Sequence, residues 1–196
     1  MFHDIPVSVV EVMAELERRD EQDRHDGTEQ LKRLRQIPRE TGRFLALLAS
    51  SSPEGSWIEI GTSAGYSALW LSLACHARSH TLTTYEVLAD KAEAARGTFR
   101  DAGVTDVITL VEGDFLEHVD KLDWVSFCFL DAEKDVYADC YDAVVPHLVS
   151  GGLLVADNVI SHQSELQGFV DQSLSDPRVD SLVVPIGKGE LVCRKR

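Results

Sequence analysis

Apolar positions in the first 50 residues recur at helical spacing, whereas from Trp57 onward they gather into short continuous runs separated by helical stretches. Val9, Val10, Met13 and Leu16 define a first predicted helix from Val7 to Arg19. The polar run from Asp20 to Gln30 reads as a solvated helix end and turn. Pro38 then opens a second helix, Arg39 to Ala49, with Phe44, Leu45, Leu47 and Leu48 expected to face inward.

The second regime alternates strand and helix. Predicted strands are Trp57 to Ile60, His80 to Tyr85, Val107 to Val111, Trp124 to Leu130 and Leu153 to Ala156. Predicted helices are Ser67 to Ala77, Leu88 to Ala102 (closed by Gly103), about Lys134 to Leu148, and about Ser164 to Leu174. Near-continuous apolar strands in this order mean a parallel sheet covered by helices on both faces. The end breaks the rule. Asp180 to Ile186 and Glu190 to Arg194 flank Gly187-Lys188-Gly189, a connection so short that only an antiparallel hairpin closes it. The expectation is one α/β domain of seven strands, with residues 1–50 as a helical cover and 56–196 as the core. Trp57, Trp70 and Trp124 are expected in that core.

Composition narrows the partners more than the fold. A chain of 196 residues suits a single domain at about 150 residues each. The net charge of -14 argues against nucleic acid, which needs clustered Lys and Arg, and more mildly against a polyanionic substrate. No apolar run approaches the ~20 residues of a membrane helix, and Met1-Phe2-His3-Asp4 lacks the basic-then-apolar order of a signal peptide. Cys75, Cys128, Cys140 and Cys193 form no C-x-x-C pair and read as incidental buried thiols of a reducing compartment. The expected location is therefore cytoplasmic.

In open α/β sheets ligands bind outside the carboxyl ends of the strands. Here those ends carry Glu59 and Gly61, Glu86, Asp114, Asp131, and Asp157-Asn158. Any one of these is an ordinary turn or cap residue. Five carboxylate-bearing ends on one rim would repel one another unless a cation or a donor-rich ligand sat among them. The turn Gly61-Thr62-Ser63-Ala64-Gly65 does not spell G-x-G-x-x-G, which disfavours a dinucleotide cradle. Glu86 is placed to accept hydrogen bonds from a ribose diol.

Three segments carry a resemblance. They are Glu59-Ile60-Gly61 through Gly65-Tyr66-Ser67, Phe129-Leu130-Asp131-Ala132-Glu133-Lys134, and Gly151-Gly152 through Asp157-Asn158-Val159. Together they resemble the S-adenosylmethionine (SAM)-dependent O-methyltransferases of the catechol and caffeoyl-CoA type, from about Ile37 to the C-terminus. The resemblance implies a class I methyltransferase-like, Rossmann-like seven-stranded sheet. It implies that Glu59, Gly61 and Ser67 hold the methionine end of SAM, Glu86 the ribose, and Asp114 and Phe115 the segment beside the adenine, with Thr62 and Ser63 also binding the cofactor and Ile37 and Asp131 near it. It also implies that Asp131, Asp157 and Asn158 bind a divalent cation, Mg²⁺ by preference for oxygen donors, and that Lys134 is the general base. The partners implied are a small hydroxylated, catechol-like acceptor and a second copy in a homodimer.

Two departures bear on that resemblance. Ser63 stands where many methyltransferases have glycine, and the chain after Asn158 is short where the family carries an acceptor-covering loop, so the identity of the acceptor within that class is not carried over. His162 is a candidate pocket residue or a solvated loop histidine, and Tyr66 either lines the cofactor site or packs beneath the turn. The alternatives left open are a metal-independent methyltransferase, a non-catalytic SAM-binding protein and, on a Rossmann sheet, a nicotinamide-dependent oxidoreductase.

Overall fold

A computed structural model describes residues 1–196. Helix α1 (Val7–Asp23) and helix α2 (Arg39–Ser51) precede strand β1 (Ser56–Ile60), helix α3 (Tyr66–Arg78), strand β2 (Leu82–Glu86), helix α4 (Ala89–Ala102) and strand β3 (Ile108–Glu112). Strand β4 (Val125–Leu130), helix α5 (Tyr137–Val144), strand β5 (Leu148–Ala156), helix α6 (Gln163–Ser175), strand β6 (Val179–Val184) and strand β7 (Glu190–Lys195) complete the chain. The sheet order is β3-β2-β1-β4-β5-β7-β6. Strands β1 to β5 pair in parallel, and β7 runs antiparallel to both β5 and β6. The expected mixed sheet with its terminal hairpin is therefore present. The strand order reverses between β1 and β4, which opens a crevice at their carboxyl ends.

One face of the sheet packs beneath α1 to α4, around Leu45, Leu69, Trp70 and Phe99, and the other beneath α5 and α6, around Tyr137, Tyr141 and Leu166. Val9, Met13 and Leu16 of α1 are buried, and α1 packs on α3 and α4, so this helix completes its own domain. Val10 of α1, by contrast, is largely exposed. The inward stripe of α2 also departs from expectation. Thr41, Gly42, Leu45, Ala46 and Ala49 form it, while Leu47 faces out. A 3.6-residue period cannot bury Leu45, Leu47 and Leu48 together, and the close approach of Trp70 to Gly42 selects the glycine side.

Two further corrections concern the sheet. Trp124 is 72% exposed rather than core, because it precedes β4 and lies outside the strand. The stretch expected to be a helix to Leu148 stops sooner. It is a 3-10 turn (Lys134–Val136), then α5, then a second turn over Val145–His147 that contains Pro146. Strand β5 consequently starts at Leu148 and not at Leu153. Its register against β4 jumps from Val125↔Leu148 to Phe127↔Leu153, and Gly151-Gly152 lie inside that bulge. All four cysteines are buried and unpaired. No helix is long and apolar enough to cross a membrane.

Candidate active site

The turn after β1 is tight for a reason that can be named. A Cβ on Gly61, at φ +96, would sit 2.2 Å from the Asp131 carbonyl oxygen, so β1 and β4 meet backbone to backbone here. Gly61→Ala is expected to lower stability by about 2–4 kcal/mol through backbone strain and overlap, read as a drop in the urea midpoint. Ser63 also takes a left-handed conformation, φ 48, a region that glycine adopts at least cost. Here its N–H donates to Glu86 Oε2 at 2.7 Å and its Oγ donates to the Leu34 carbonyl at 2.9 Å. The turn is thereby tied both to β2 and to the segment before α2.

A cavity of about 660 Å³ opens above this rim. Gly61, Thr62, Ser63, Ser67, Glu86, Asp114, Phe115, Asp131, Lys134 and Asn158 line it, as do Ile37, Tyr66 and His162. The structure thus brings together most of the residues singled out in the sequence. Glu86 is held by the Ser63 N–H and, through Oε1, by the Leu88 N–H at 2.9 Å. Asp114 caps the 3-10 turn Phe115–Lys121 by accepting from the Leu116 N–H at 2.9 Å. Tyr66 serves both of its suggested roles, since it lines the cavity and its hydroxyl donates to Glu17 of α1.

Two expected site residues do not reach the cavity wall. Glu59 is fully buried behind it, accepting from Ser67 Oγ and from Thr84 Oγ1, each at 2.6 Å. Its place is one layer back, because alternation along β1 turns position 59 under α3, and it orients Ser67 from there. Burial pushes its carboxyl up to about 7 against an ordinary 4.5, with the Ser67 and Thr84 hydroxyls pulling the other way. The unfolded chain releases this proton at lower pH than the folded one. The stability the group contributes is therefore complete below about 4.5 and is lost as pH rises to about 7. The loss amounts to about 3 kcal/mol at most. Urea titrations at pH 5 and 7.5 should show a flatter pH dependence in Glu59→Gln than in the unaltered chain.

Asp157 is the second. It is fully buried, its Oδ1 accepts from the Asn158 N–H at 2.6 Å, and its Oδ2 has no partner. Burial first, and then the Asp131 charge, push its carboxyl above the ordinary range. Asn158, at φ 70, turns back so that its Nδ2 donates to Asp131 Oδ1 at 2.8 Å. Asp131, Asp157 and Asn158 are therefore neighbours. No group of three His, Cys, Asp or Glu side chains is arranged to hold a metal. The set in question is instead two carboxylates and an amide. It fits a hard cation, because it is all oxygen once the Asn158 amide makes a half-turn and because it contains an orphaned buried carboxylate oxygen.

Lys134 stands beside that set. Its Nζ donates to the Ala132 carbonyl at 2.9 Å, to Tyr137 Oη at 2.8 Å and to Asp131 Oδ1 at 3.3 Å, and lies 4.7 Å from the Tyr137 ring centroid. Sequence reasoning missed the basic groups that complete the cavity. Arg35 forms an ion pair with Glu133, linking the segment before α2 to the loop after β4. Lys91, whose ammonium burial holds below the ordinary range, and Lys188 also line the wall. None lies in a motif, and their convergence from distant segments left no local signal.

Comparison with known proteins agrees with this geometry. The family model described as O-methyltransferase matches residues 7–196. The catechol O-methyltransferase of Mycobacterium tuberculosis is 31% identical over 126 residues, covering 63% of this chain and 57% of that protein. Caffeoyl-CoA O-methyltransferase 1 of Eucalyptus globulus is 28% identical over 178 residues, covering 79% and 72%. Among solved structures, the SAH-bound methyltransferase of Podospora anserina shares the fold with a TM-score of 0.81 at 23% identity, over 98% of this chain and 89% of that one. The SAH complex of an O-methyltransferase from Bacillus cereus shares it with a TM-score of 0.78 at 19% identity, over 95% and 91%. With the family matched across nearly its whole length, this chain belongs to the O-methyltransferase family, of the SAM-dependent catechol and caffeoyl-CoA type.

Proposed function

We propose that this protein transfers the methyl group of SAM to a hydroxyl of a small, catechol-like acceptor, with assistance from a divalent cation, Mg²⁺ by the hardness of the donor set. One observation carries the proposal. A single cavity is lined by the glycine turn and Glu86 on one side and by Asp131, Lys134 and Asn158 on the other. The first group suits the cofactor. Glu86 keeps a second lone pair on each oxygen for a ribose diol, and Ser67, fixed by Glu59, is the residue we assign to the methionine end. The second group suits the acceptor and its proton.

SAM supplies a methyl group on a sulfonium, which reacts in line with the acceptor oxygen. Methyl transfer would leave the cofactor as a thioether and the acceptor as a methyl ether, with the hydroxyl proton received at Lys134 Nζ as the general base. The chain's contribution is alignment of the two oxygen- and sulfur-bearing centres and removal of that proton. A divalent cation held by Asp131, Asp157 and Asn158 would supply Lewis-acid stabilisation of the charge developing on the oxygen. The net charge of -14 favours a small diol over a polyphosphorylated thioester. Four unpaired thiols are in keeping with a cytoplasmic setting.

A metal-independent route has one observation in its favour, since the Asn158 amide and Lys134 already satisfy Asp131 Oδ1. Calorimetric titration with SAM, NAD and catechol, with and without Mg²⁺, separates the readings. SAM binding with Mg²⁺-dependent catechol binding is the expected result. SAM binding indifferent to Mg²⁺ and EDTA, with turnover intact, would favour the metal-independent route, and absence of turnover would leave a binding protein. Failure to bind SAM would overturn the proposal.

A further inference from the structure

Tyr137 opens α5 and lies outside the three segments that carry the resemblance. It is fully buried, and its ring meets Phe169 of α6 edge to face with centroids 5.5 Å apart. A phenylalanine would fill the same space, so the hydroxyl is the part that needs a reason, because a buried hydroxyl without partners is costly. Its hydrogen goes to the Asp157 carbonyl at 3.2 Å, and its oxygen accepts from Lys134 Nζ at 2.8 Å. The 3-10 turn Lys134–Val136 brings the two side chains together, since positions three apart eclipse in such a turn.

The other partners of Lys134 make that hydroxyl decisive. The Ala132 carbonyl, at 2.9 Å, can only accept, and so can Tyr137 Oη once its hydrogen is committed to Asp157. The third partner, Asp131 Oδ1, is more distant at 3.3 Å and already accepts from Asn158 Nδ2 at 2.8 Å. An ammonium carries three hydrogens, and an amine carries two and a lone pair. The two short bonds hold two hydrogens in either form, which leaves the loosely held third direction for the lone pair or the proton it receives. That direction points toward Asp131, which lines the cavity together with Lys134 and Asn158. Without the hydroxyl one short bond would remain at the end of a flexible four-carbon stem.

We propose that Tyr137 is a positioning residue for methyl transfer, its hydroxyl, anchored on the Asp157 carbonyl, pinning Lys134 Nζ so that the free direction of the amine faces the Asp131 side of the cavity. The inference rests on the reading of Lys134 as the general base and extends it to a residue that touches neither cofactor nor acceptor. Tyr137 does not reach the cavity, so its effect on the reaction passes through Lys134.

The test is a double-mutant cycle on the full chain, read as single-turnover rates with SAM, catechol and Mg²⁺. Tyr137→Phe removes one oxygen and keeps the ring against Phe169, so the variant folds, which a thermal melt checks. It is expected to slow methyl transfer about 10–100-fold and to leave the SAM Kd and the catechol KM within about threefold. Added to Lys134→Ala, the same substitution should change the rate by less than about twofold, because the hydroxyl then has no amine to hold. An equal slowing in both backgrounds would mark a purely structural role at the Asp157 carbonyl and overturn the proposal. A crystal structure of Tyr137→Phe should show Lys134 Nζ displaced from the Ala132 carbonyl, and an unmoved Nζ also overturns it. If Lys134→Ala slows the transfer and Tyr137→Phe does not, the general-base reading stands and the Tyr137 inference falls. Undiminished turnover in Lys134→Ala overturns both.

Discussion

Lys134→Ala is expected to lower kcat by roughly 10²–10⁴-fold while SAM affinity stays within about threefold. The side chain is only 13% exposed, and its Nζ is fixed by the Ala132 carbonyl, Tyr137 Oη and Asp131 Oδ1. A surface lysine would not be held from three directions, because ordering so flexible a chain costs conformational entropy. The held Nζ stands beside Asp131 and Asn158 at the cavity wall, where the proposed base is required. Removing it leaves the cavity walls in place, since Glu86, Ser67 and the glycine turn do not touch it. Single-turnover rates, read as SAM converted with catechol present, give the loss directly. Partial rescue of Lys134→Ala by small primary amines would identify proton transfer as the missing function. A variant with undiminished kcat would remove Lys134 from the mechanism.

Asp157→Ala is expected to lower kcat/KM by roughly 10²–10³-fold, the several kcal/mol that a Lewis acid contributes to developing oxygen charge. Its SAM affinity should be unaffected, because Asp157 stands behind the cavity wall. The metal-free Tm should hold or rise, since the substitution deletes a buried carboxylate with an orphaned oxygen. EDTA should bring the unaltered chain down to the level of the variant and leave the variant where it is. Equal turnover in the two proteins would dismiss metal assistance and leave the metal-independent route.

Much of the fold was legible along the chain because its signals are local. Continuous apolar runs ending at Gly61, Glu86 and Asp131 mark buried parallel strands, and Gly187-Lys188-Gly189 permits only a hairpin. The errors fell where burial depends on a neighbour distant in sequence. Leu47 carries the same local signal as Leu45, yet the fit of Gly42 against Trp70 decides which one turns inward. Trp124 reads as core by its chemistry and lies exposed because β4 begins only after it. The start of β5 at Leu148 depends on a bulge against β4 that composition does not record.

The site divides in the same way. The sequence alone determined the class of chemistry, since the Gly61–Gly65 turn, the Asp131–Lys134 segment and the Asp157-Asn158 pair are short stretches whose residue types and order carry the resemblance. It also determined which sheet edge they share, because parallel strands place all their carboxyl ends on one rim. Tertiary structure alone decided depth and pairing. Alternation in β1 sends Glu59 behind the cavity, and the segment before α2 brings Arg35 to Glu133 across 98 positions of sequence. The physical reason is one of range. Strand and turn formation follow from nearest neighbours along the chain, whereas the desolvation and pairing of a charge depend on whatever the fold brings within a few ångströms of it.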